Sequence, residues 1–183
     1  MDFNHIYGAG FRHGQVKTAA ENVFDIDAII GIEGEPEQES TQIPGDDTVK
    51  ATFSSSRTEN ITVTANAISM DVFAAITGNT ATDIGTSPNF TGKKIPLGTQ
   101  TELNAPFVEV SGVINGKTDE GKNVMVKKTW HKVQFTTVKI TSSNGSEMSV
   151  ELTGTAVQTD KEIDGAALTP LRVATLSIET GSL

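Results

Sequence analysis

The chain has 183 residues, 23 of them acidic and 14 basic, and a formal charge of −9 at pH 7. This length suffices for one domain with its own hydrophobic core, and the lack of cysteine excludes disulfides and thiolate chemistry. The negative charge argues against a protein that wraps nucleic acid through phosphate contacts. No leader-like segment opens the sequence and no apolar run approaches the length of a membrane span, so we expect a soluble protein without membrane contact, made in the cytoplasm.

The N-terminal part of the chain predicts one strand between two irregular segments. Residues 1–21 contain three glycines and little periodicity, which favours an N-terminal arm. Residues 24–32 alternate apolar and polar side chains, the period of two expected of a half-buried strand. Residues 33–47 place six acidic residues around two prolines, a composition typical of a solvated acidic loop.

A threonine-rich strand pattern over residues 57–65 runs directly into a helical pattern. From Asn66 onward the apolar residues lie four apart, which predicts a helix over residues 67–77. Asn66 is the expected N-cap, and Gly78 is expected to end the helix in the left-handed conformation. The face predicted to pack in the core consists of Ile68, Val72, Phe73 and Ile76.

Residues 79–105 are rich in Thr, Gly, Asn and Pro and lack a regular pattern. A loop of this length in a compact domain is usually functional or disordered. A monomer has little use for such an extension, whereas an assembly can use it as a contact, so we expect an assembly loop here.

The second half of the chain reads as strands joined by turns. Residues 107–114 alternate, and Asn115-Gly116 follows as a hairpin signal. The alternation over residues 124–140 changes phase between Phe135 and Val138, which predicts a bulge or bend. Asn144-Gly145 marks a second turn before an alternating run over residues 148–156.

The C-terminal residues 158–183 are expected to form a linker followed by a strand or arm over residues 171–178. Taken together, the elements predict a single domain spanning residues 1–183. Its fold class is mainly β, an antiparallel β-sandwich or open barrel with one flanking α-helix, long loops and terminal arms.

Motifs that carry chemistry are weak or absent. The three histidines are scattered, without the spacing of a metal site on a predicted helix. Acidic pairs such as Asp25 with Asp27 lack further oxygen ligands at a suitable loop spacing. No nucleophile-elbow pattern places a serine for attack. We therefore expect no catalytic, metal or cofactor site, and a protein that is not an enzyme.

Two segments resemble a known family. The strand, helix and closing Ile76-Thr77-Gly78 step of residues 60–78 resemble the corresponding elements of the major tail tube proteins of long-tailed bacteriophages. Residues 130–157, two alternating strands about a polar turn, are similar to the final core hairpin of that family. The resemblance implies a β-sandwich with a flanking helix whose subunits form rings, typically hexameric, that stack into a hollow tube for DNA.

For this chain the resemblance implies a virion protein of a phage tail, made in the host bacterial cytoplasm. Its expected partners are further copies of itself and the tape measure, terminator and distal tail proteins, and DNA would pass through without specific binding. Glu109 and Glu151, on the polar faces of strong strands, are candidates to line the lumen, with ordinary surface charge as the alternative. The candidate inter-ring contacts are Asp83, Asn89, Phe90, Lys93 and Lys94.

Two other classes stay open at this point. A different β-sandwich virion protein, such as a head decoration or tail terminator protein, would form a monomer or ring that never stacks. A carbohydrate-binding or adhesion sandwich would need exposed aromatic side chains for stacking on sugars, and the chain has one Tyr and one Trp.

Overall fold

A computed structural model describes residues 6–26, 28–45 and 48–180 of the chain, and almost all of its regular structure is antiparallel strand. The strands are β1 (Ile6–Thr18), β2 (Val23–Ile26), β3 (Ile29–Gly45), β4 (Thr48–Ala65), β5 (Thr82–Thr86), β6 (Asn89–Lys94), β7 (Val108–Thr118), β8 (Asn123–Thr141), β9 (Ser149–Val157), β10 (Thr159–Lys161), β11 (Ala167–Arg172) and β12 (Ala174–Thr180). The α-helix, α1, spans Met70–Thr77, and a short 3-10 turn covers Glu102–Asn104.

The main sheet has the strand order β2-β1-β7-β8-β9-β4-β3, and β12 pairs with β8 beside this path. The sheet curls, so that strands far apart in this order face each other across the core. A Cβ atom at Gly14 of β1 would lie 2.5 Å from Cδ1 of Ile29, and one at Gly112 of β7 would lie 2.8 Å from Cδ1 of Ile32. The predicted fold class, an antiparallel β-sandwich or open barrel with one helix, is confirmed.

The core fills the concave side of this sheet and follows the period-two alternation of its strands. Its buried apolar side chains are Val16, Ile26, Ile32, Ile61, Val63, Ala65, Val72, Phe73, Ile76, Val108, Val110, Trp130, Val133, Phe135, Val150, Leu152, Ala156 and Val173. Helix α1 contacts β1, β2 and β8 and closes one side of the core.

Helix α1 has the predicted buried face but a later start. Val72, Phe73 and Ile76 are buried, and Ile68 packs against the core from the segment that precedes the helix. The N-cap is Ser69, whose Oγ accepts a hydrogen bond of 3.2 Å from the backbone N–H of Val72. Asn66, predicted to be the cap, lies three residues too early.

The C-terminal end of the helix agrees with the prediction. Gly78 has φ 73°, and its N–H bonds to the carbonyl of Ala74. Only a residue that tolerates positive φ ends a helix this way without strain.

The predicted N-terminal arm is wrong for the described part of residues 1–21, because Ile6–Thr18 is strand β1, inside the main sheet between β2 and β7. The glycines that suggested irregular structure include Gly14, which lets β1 approach Ile29 closely. Residues 1–5 lie outside the described part.

The predicted single strand over residues 24–32 is two strands. Ala28 has φ 48°, a left-handed conformation, between the end of β2 and the start of β3. Ile29 packs against the core whereas Ile30 is 56% exposed, so the alternation of buried side chains changes phase at this break. The uninterrupted run of apolar residues in the sequence hides that change.

The predicted acidic loop over residues 33–47 is wrong, because its described part is strand β3. β3 pairs with β4 from Ile29 opposite Ala65 to Gly45 opposite Thr48, while β9 pairs with β4 only from Thr58 onward. Glutamates occupy every second position from 33 to 39, so this part of β3 has strand periodicity without the apolar residues that usually reveal it. Residues 46 and 47 lie outside the described part.

Asn115-Gly116 is not a turn. Strand β7 continues to Thr118, and the chain reverses where the N–H of Thr118 bonds to the carbonyl of Lys122 at 3.0 Å. Gly116 and Thr118 pair with Gly8 and Ile6 of β1 on one side, and Gly116 pairs with β8 on the other. This ladder overrides the local turn preference of the dipeptide.

Two further predictions for the second half, the bulge and the second turn, agree with the structure, and two for the C-terminal segment do not. The β8–β9 register shifts between Phe135 and Thr137, where the bulge was predicted. Gly145, with φ 81°, lies in the predicted turn before β9. The expected linker after residue 158 instead contains β10 and the first part of β11, and the expected terminal strand is divided at Val173 between β11 and β12.

Candidate functional site

A hydroxyl-rich face covers the outer side of β3, β4 and β9. We call it the threonine face, and it consists of Glu33, Glu35, Glu37, Asn60, Thr62, Thr64, Glu151, Thr153 and Thr155. These side chains point away from the core because the residues between them on β4 and β9, including Ile61, Val63 and Leu152, are buried. The face carries four carboxylates.

Cross-strand pairing places the polar side chains of this face in rows. Thr62 lies opposite Glu33 on one side and Thr153 on the other, and Asn60 lies opposite Glu35 and Thr155.

Hydrogen bonds link these rows through Asn60. Its Nδ2 donates to Glu37 Oε1 at 2.7 Å, and its Oδ1 accepts from Thr155 Oγ1 at 3.3 Å. With Glu33 and Glu35 exposed at the edge, such a face presents negative charge and repels phosphate groups.

The two predicted lumen residues lie on different parts of the sheet. Glu151 is half-buried on the threonine face, opposite Thr64 of β4 and Lys139 of β8. Glu109 lies on β7, with 13% of its side chain exposed. The structure therefore does not bring the two carboxylates together.

Glu109 belongs to a buried polar cluster with His131. His131 is 3% exposed, with Nδ1 3.4 Å from Glu109 Oε2 and Nε2 2.7 Å from Thr175 Oγ1. His131 and Lys132, together with residues 159–163, line a cavity of about 190 Å³. In the single chain the Glu109 carboxylate is therefore mostly buried beside His131. A residue that lines a lumen would need a solvent-exposed carboxylate.

An ion pair ties the C-terminal segment to β1 nearby. Lys17 Nζ donates to Asp164 Oδ2 at 2.8 Å. This hydrogen bond lowers the pKa of the Asp164 carboxyl below its usual value, with a second contribution from the N–H of Ala166. The same bond raises the pKa of Lys17, although desolvation opposes the change. Both groups are therefore held in their charged forms.

The five predicted inter-ring residues all lie on one hairpin, β5–β6, within residues 79–105. Asp83 pairs with Lys93 and Thr82 with Lys94, while Asn89 and Phe90 begin β6. Every residue of both strands is exposed, and Phe90 is 54% exposed. The region is thus more regular than the sequence indicated, and its hairpin presents charged and apolar side chains to solvent.

Asn79 anchors the base of this loop. It is 8% exposed, and its Nδ2 donates to the carbonyl of Pro96 at 2.8 Å and to Glu102 Oε1 at 2.7 Å. Its Oδ1 accepts from Thr99 Oγ1 at 2.7 Å. Glu102 also accepts from the N–H of Gly98 at 2.9 Å. One amide therefore joins three parts of the loop.

Replacing Asn79 with alanine should lower the free energy of unfolding by about 1–3 kcal/mol, because hydrogen bonds at the loop base are lost together. Thermal unfolding followed by circular dichroism measures this change. Asn89→Ala is the matched control, since Asn89 is exposed on the hairpin and should shift stability by less than about 0.5 kcal/mol. Equal effects of the two substitutions would contradict the anchoring role.

Sequence reasoning missed the acidic row on β3. Glu33, Glu35 and Glu37 were assigned to a loop, although their spacing of two was a usable signal for one face of a strand. Residues 34, 36 and 38 are Gly, Pro and Gln, so no apolar partner face marked the segment.

Within residues 6–26, 28–45 and 48–180, no group of three or more histidine, aspartate and glutamate side chains is placed to hold a metal ion. None of the helical segments in the described ranges has the length and apolar character needed to cross a membrane.

No protein-family model matches the chain, and no curated protein matches its sequence.

Proposed function

We propose that this chain is the tube subunit of a long-tailed phage tail, which polymerises as stacked, hexameric rings around a channel for DNA. The observation that carries the proposal is the threonine face, an acidic and hydroxyl-rich sheet surface bordered by the edge strand β3. A channel wall for DNA needs a surface that does not bind phosphate, and carboxylates with threonine hydroxyls meet that need. Glu151 is the sequence-predicted lumen residue on this face.

Open sheet edges support assembly into rings. Within the described chain, β3 pairs only with β4, and β12 pairs only with β8. An unpaired edge of the length of β3 is an aggregation risk in a monomer, and pairing between neighbouring subunits removes it. A head-to-tail contact of this kind closes into a ring when the rotation between subunits is suitable.

Exposed apolar side chains in residues 79–105 support a second contact between rings. Ile84 and Phe90 lie exposed on the β5–β6 hairpin, and Leu97 and Leu103 are exposed further along the loop. Exposed apolar surface is a common feature of protein contacts, and these four side chains all lie in the segment proposed to reach the next ring. Asn79 holds the loop base in place, so the hairpin is presented by an anchored scaffold.

The proposal assigns the protein to the virion, with synthesis in the bacterial cytoplasm. Its partners are further copies of itself, and at the ends of the tube the tape measure, terminator and distal tail proteins. The protein acts through its surfaces and catalyses no reaction.

Removing the β5–β6 hairpin tests the role of the loop. Thr82 and Lys94 are paired at its base, so a short Gly-Ser link can replace residues 83–93 while Asn79 and its partners stay in place. We expect the variant to keep its thermal stability and to lose polymerisation in sedimentation velocity, because the exposed hairpin contacts are absent.

A control variant changes the exposed 119–122 turn to Gly-Ser residues and should polymerise like the parent protein. Tube formation by the hairpin deletion at the parent's concentration dependence would contradict the assigned role. Closed rings that never stack, formed by the parent protein itself, would favour a terminator-like protein.

A further inference from the structure

A polar cavity of about 350 Å³ opens at one end of the core, on the opposite side of β4 from the threonine face. Its lining residues are Arg57, Glu59, Lys128, Gln158, Leu171, Arg172, Val173 and Ala174. We call it the arginine cavity. Arg57 and Arg172 are two of the three arginines in the chain.

The cavity carries excess positive charge. Lys128 forms an ion pair with the buried Glu59, and its Nζ lies 4.5 Å from the centre of the Trp130 ring, so both charges of that pair are satisfied internally. Arg172 donates from Nε to the carbonyl of Pro170 at 3.1 Å and from Nη2 to that of Thr169 at 2.7 Å, which leaves its Nη1 group free of these bonds.

The side chain of Arg57 is exposed and makes no hydrogen bond or ion pair with any residue in the described ranges. Two guanidinium groups thus face the cavity without a counter-charge, in a chain whose formal charge is −9. A guanidinium is a planar donor that matches carboxylates in a bidentate geometry, so the cavity suits carboxylate ligands.

Strands β3 and β4 carry the opposite charge on the face that points away from the arginine cavity. Arg57 and Glu59 point to the concave side of β4, while Asn60 and Thr62 point to the threonine face. On that face Glu33 and Glu35 of β3 lie exposed opposite Thr62 and Asn60. Their side chains stand roughly 7 Å apart along the strand, two residues of rise.

We propose that Glu33 and Glu35 of one copy of this chain bind Arg57 and Arg172 of the next copy. Complementary patches at different places on one chain produce a head-to-tail contact, which generates rings or stacks and no closed two-fold dimer. The paired charges offset the repulsion that acidic subunits otherwise exert on each other. The inference rests on the proposed tube function, because it identifies one of the contacts between subunits. It assigns Glu33 and Glu35 of the threonine face to that contact, which leaves Glu37 and Glu151 as the carboxylates that face the channel.

Charge reversal in both patches tests this contact. Arg57→Glu and, separately, Glu33→Lys with Glu35→Lys should each raise the protein concentration needed for polymerisation at least about tenfold. Combining the two sets in one chain should restore part of the loss, because the charge at position 57 is then again opposite to the charges at positions 33 and 35, while Arg172 keeps its sign. Lys117→Glu, the same charge change as Arg57→Glu but at an exposed residue of β7, should leave the threshold near that of the parent protein.

The outcomes separate this inference from the proposed function. Tubes that form equally well in every reversal variant would overturn the contact and leave the tube function standing. If inorganic phosphate then bound the parent protein and not Arg57→Glu in calorimetry, the arginine cavity would be a small-anion site. Monomers of the parent protein at every concentration would overturn both, and circular dichroism of each variant shows whether it is folded.

Discussion

Replacing Trp130 with alanine is expected to lower the free energy of unfolding by about 3–5 kcal/mol, the range for deleting a large buried aromatic side chain. Trp130 is 1% exposed and lies on β8 between Val110 of β7 and Ala174 of β12. Its ring also covers Lys128, which pairs with the buried Glu59. The substitution therefore opens a cavity and removes apolar cover from an ion pair.

Urea denaturation followed by circular dichroism measures the loss, since the substitution removes the only tryptophan and with it the fluorescence signal. Leu176→Ala is the control, because Leu176 on β12 is 64% exposed and its truncation should change stability by less than about 0.5 kcal/mol. A loss below about 1 kcal/mol for Trp130→Ala would contradict the central position of this residue in the core.

Replacing Gly154 with alanine is expected to lower the free energy of unfolding by about 1–3 kcal/mol through overpacking. Gly154 lies on β9 opposite Phe135, at the bulge of β8. A Cβ atom there would lie 2.6 Å from the carbonyl oxygen of Gln134 and 2.9 Å from Cα of Phe135. Both neighbours are backbone atoms, so relief requires the two strands to move apart.

Gly31→Ala is the matched control on β3. A Cβ atom at Gly31 would meet nothing within 4 Å. The substitution should therefore be neutral, or stabilise the protein by up to about 1 kcal/mol, because alanine lowers the conformational entropy of the unfolded chain. The two variants are compared by chemical denaturation under the same conditions. Equal midpoints for Gly154→Ala and Gly31→Ala would show that β8 and β9 do not approach as closely as described.

Local signals predicted the elements whose own residues determine their ends. Gly78 ends α1 because a positive φ is needed there, and the phase change after Phe135 revealed the bulge of β8. Local sequence signals gave the wrong element where strand pairing with residues distant in sequence determines the structure. Asn115-Gly116 stays in a strand because Gly8 pairs with Gly116, and no local pattern contains that information.

The candidate surfaces were predictable to a similar degree. Glu151 was assigned to a polar strand face, and that face is present, with Thr153 and Thr155 beside it. Glu109 has the same local alternation, yet its side chain is 13% exposed and lies beside the buried His131. The glutamates of β3 had a usable signal in their spacing of two, whereas the arginine cavity forms where segments distant in sequence meet, so no local pattern reveals it.

Negative-stain electron microscopy of the purified protein over a concentration series, with sedimentation velocity on the same samples, tests the proposed tube function most directly. The proposal predicts hollow tubes or stacked rings of uniform diameter, whose length and amount increase with protein concentration. Monomers alone at every concentration, or closed rings that never stack, would contradict it.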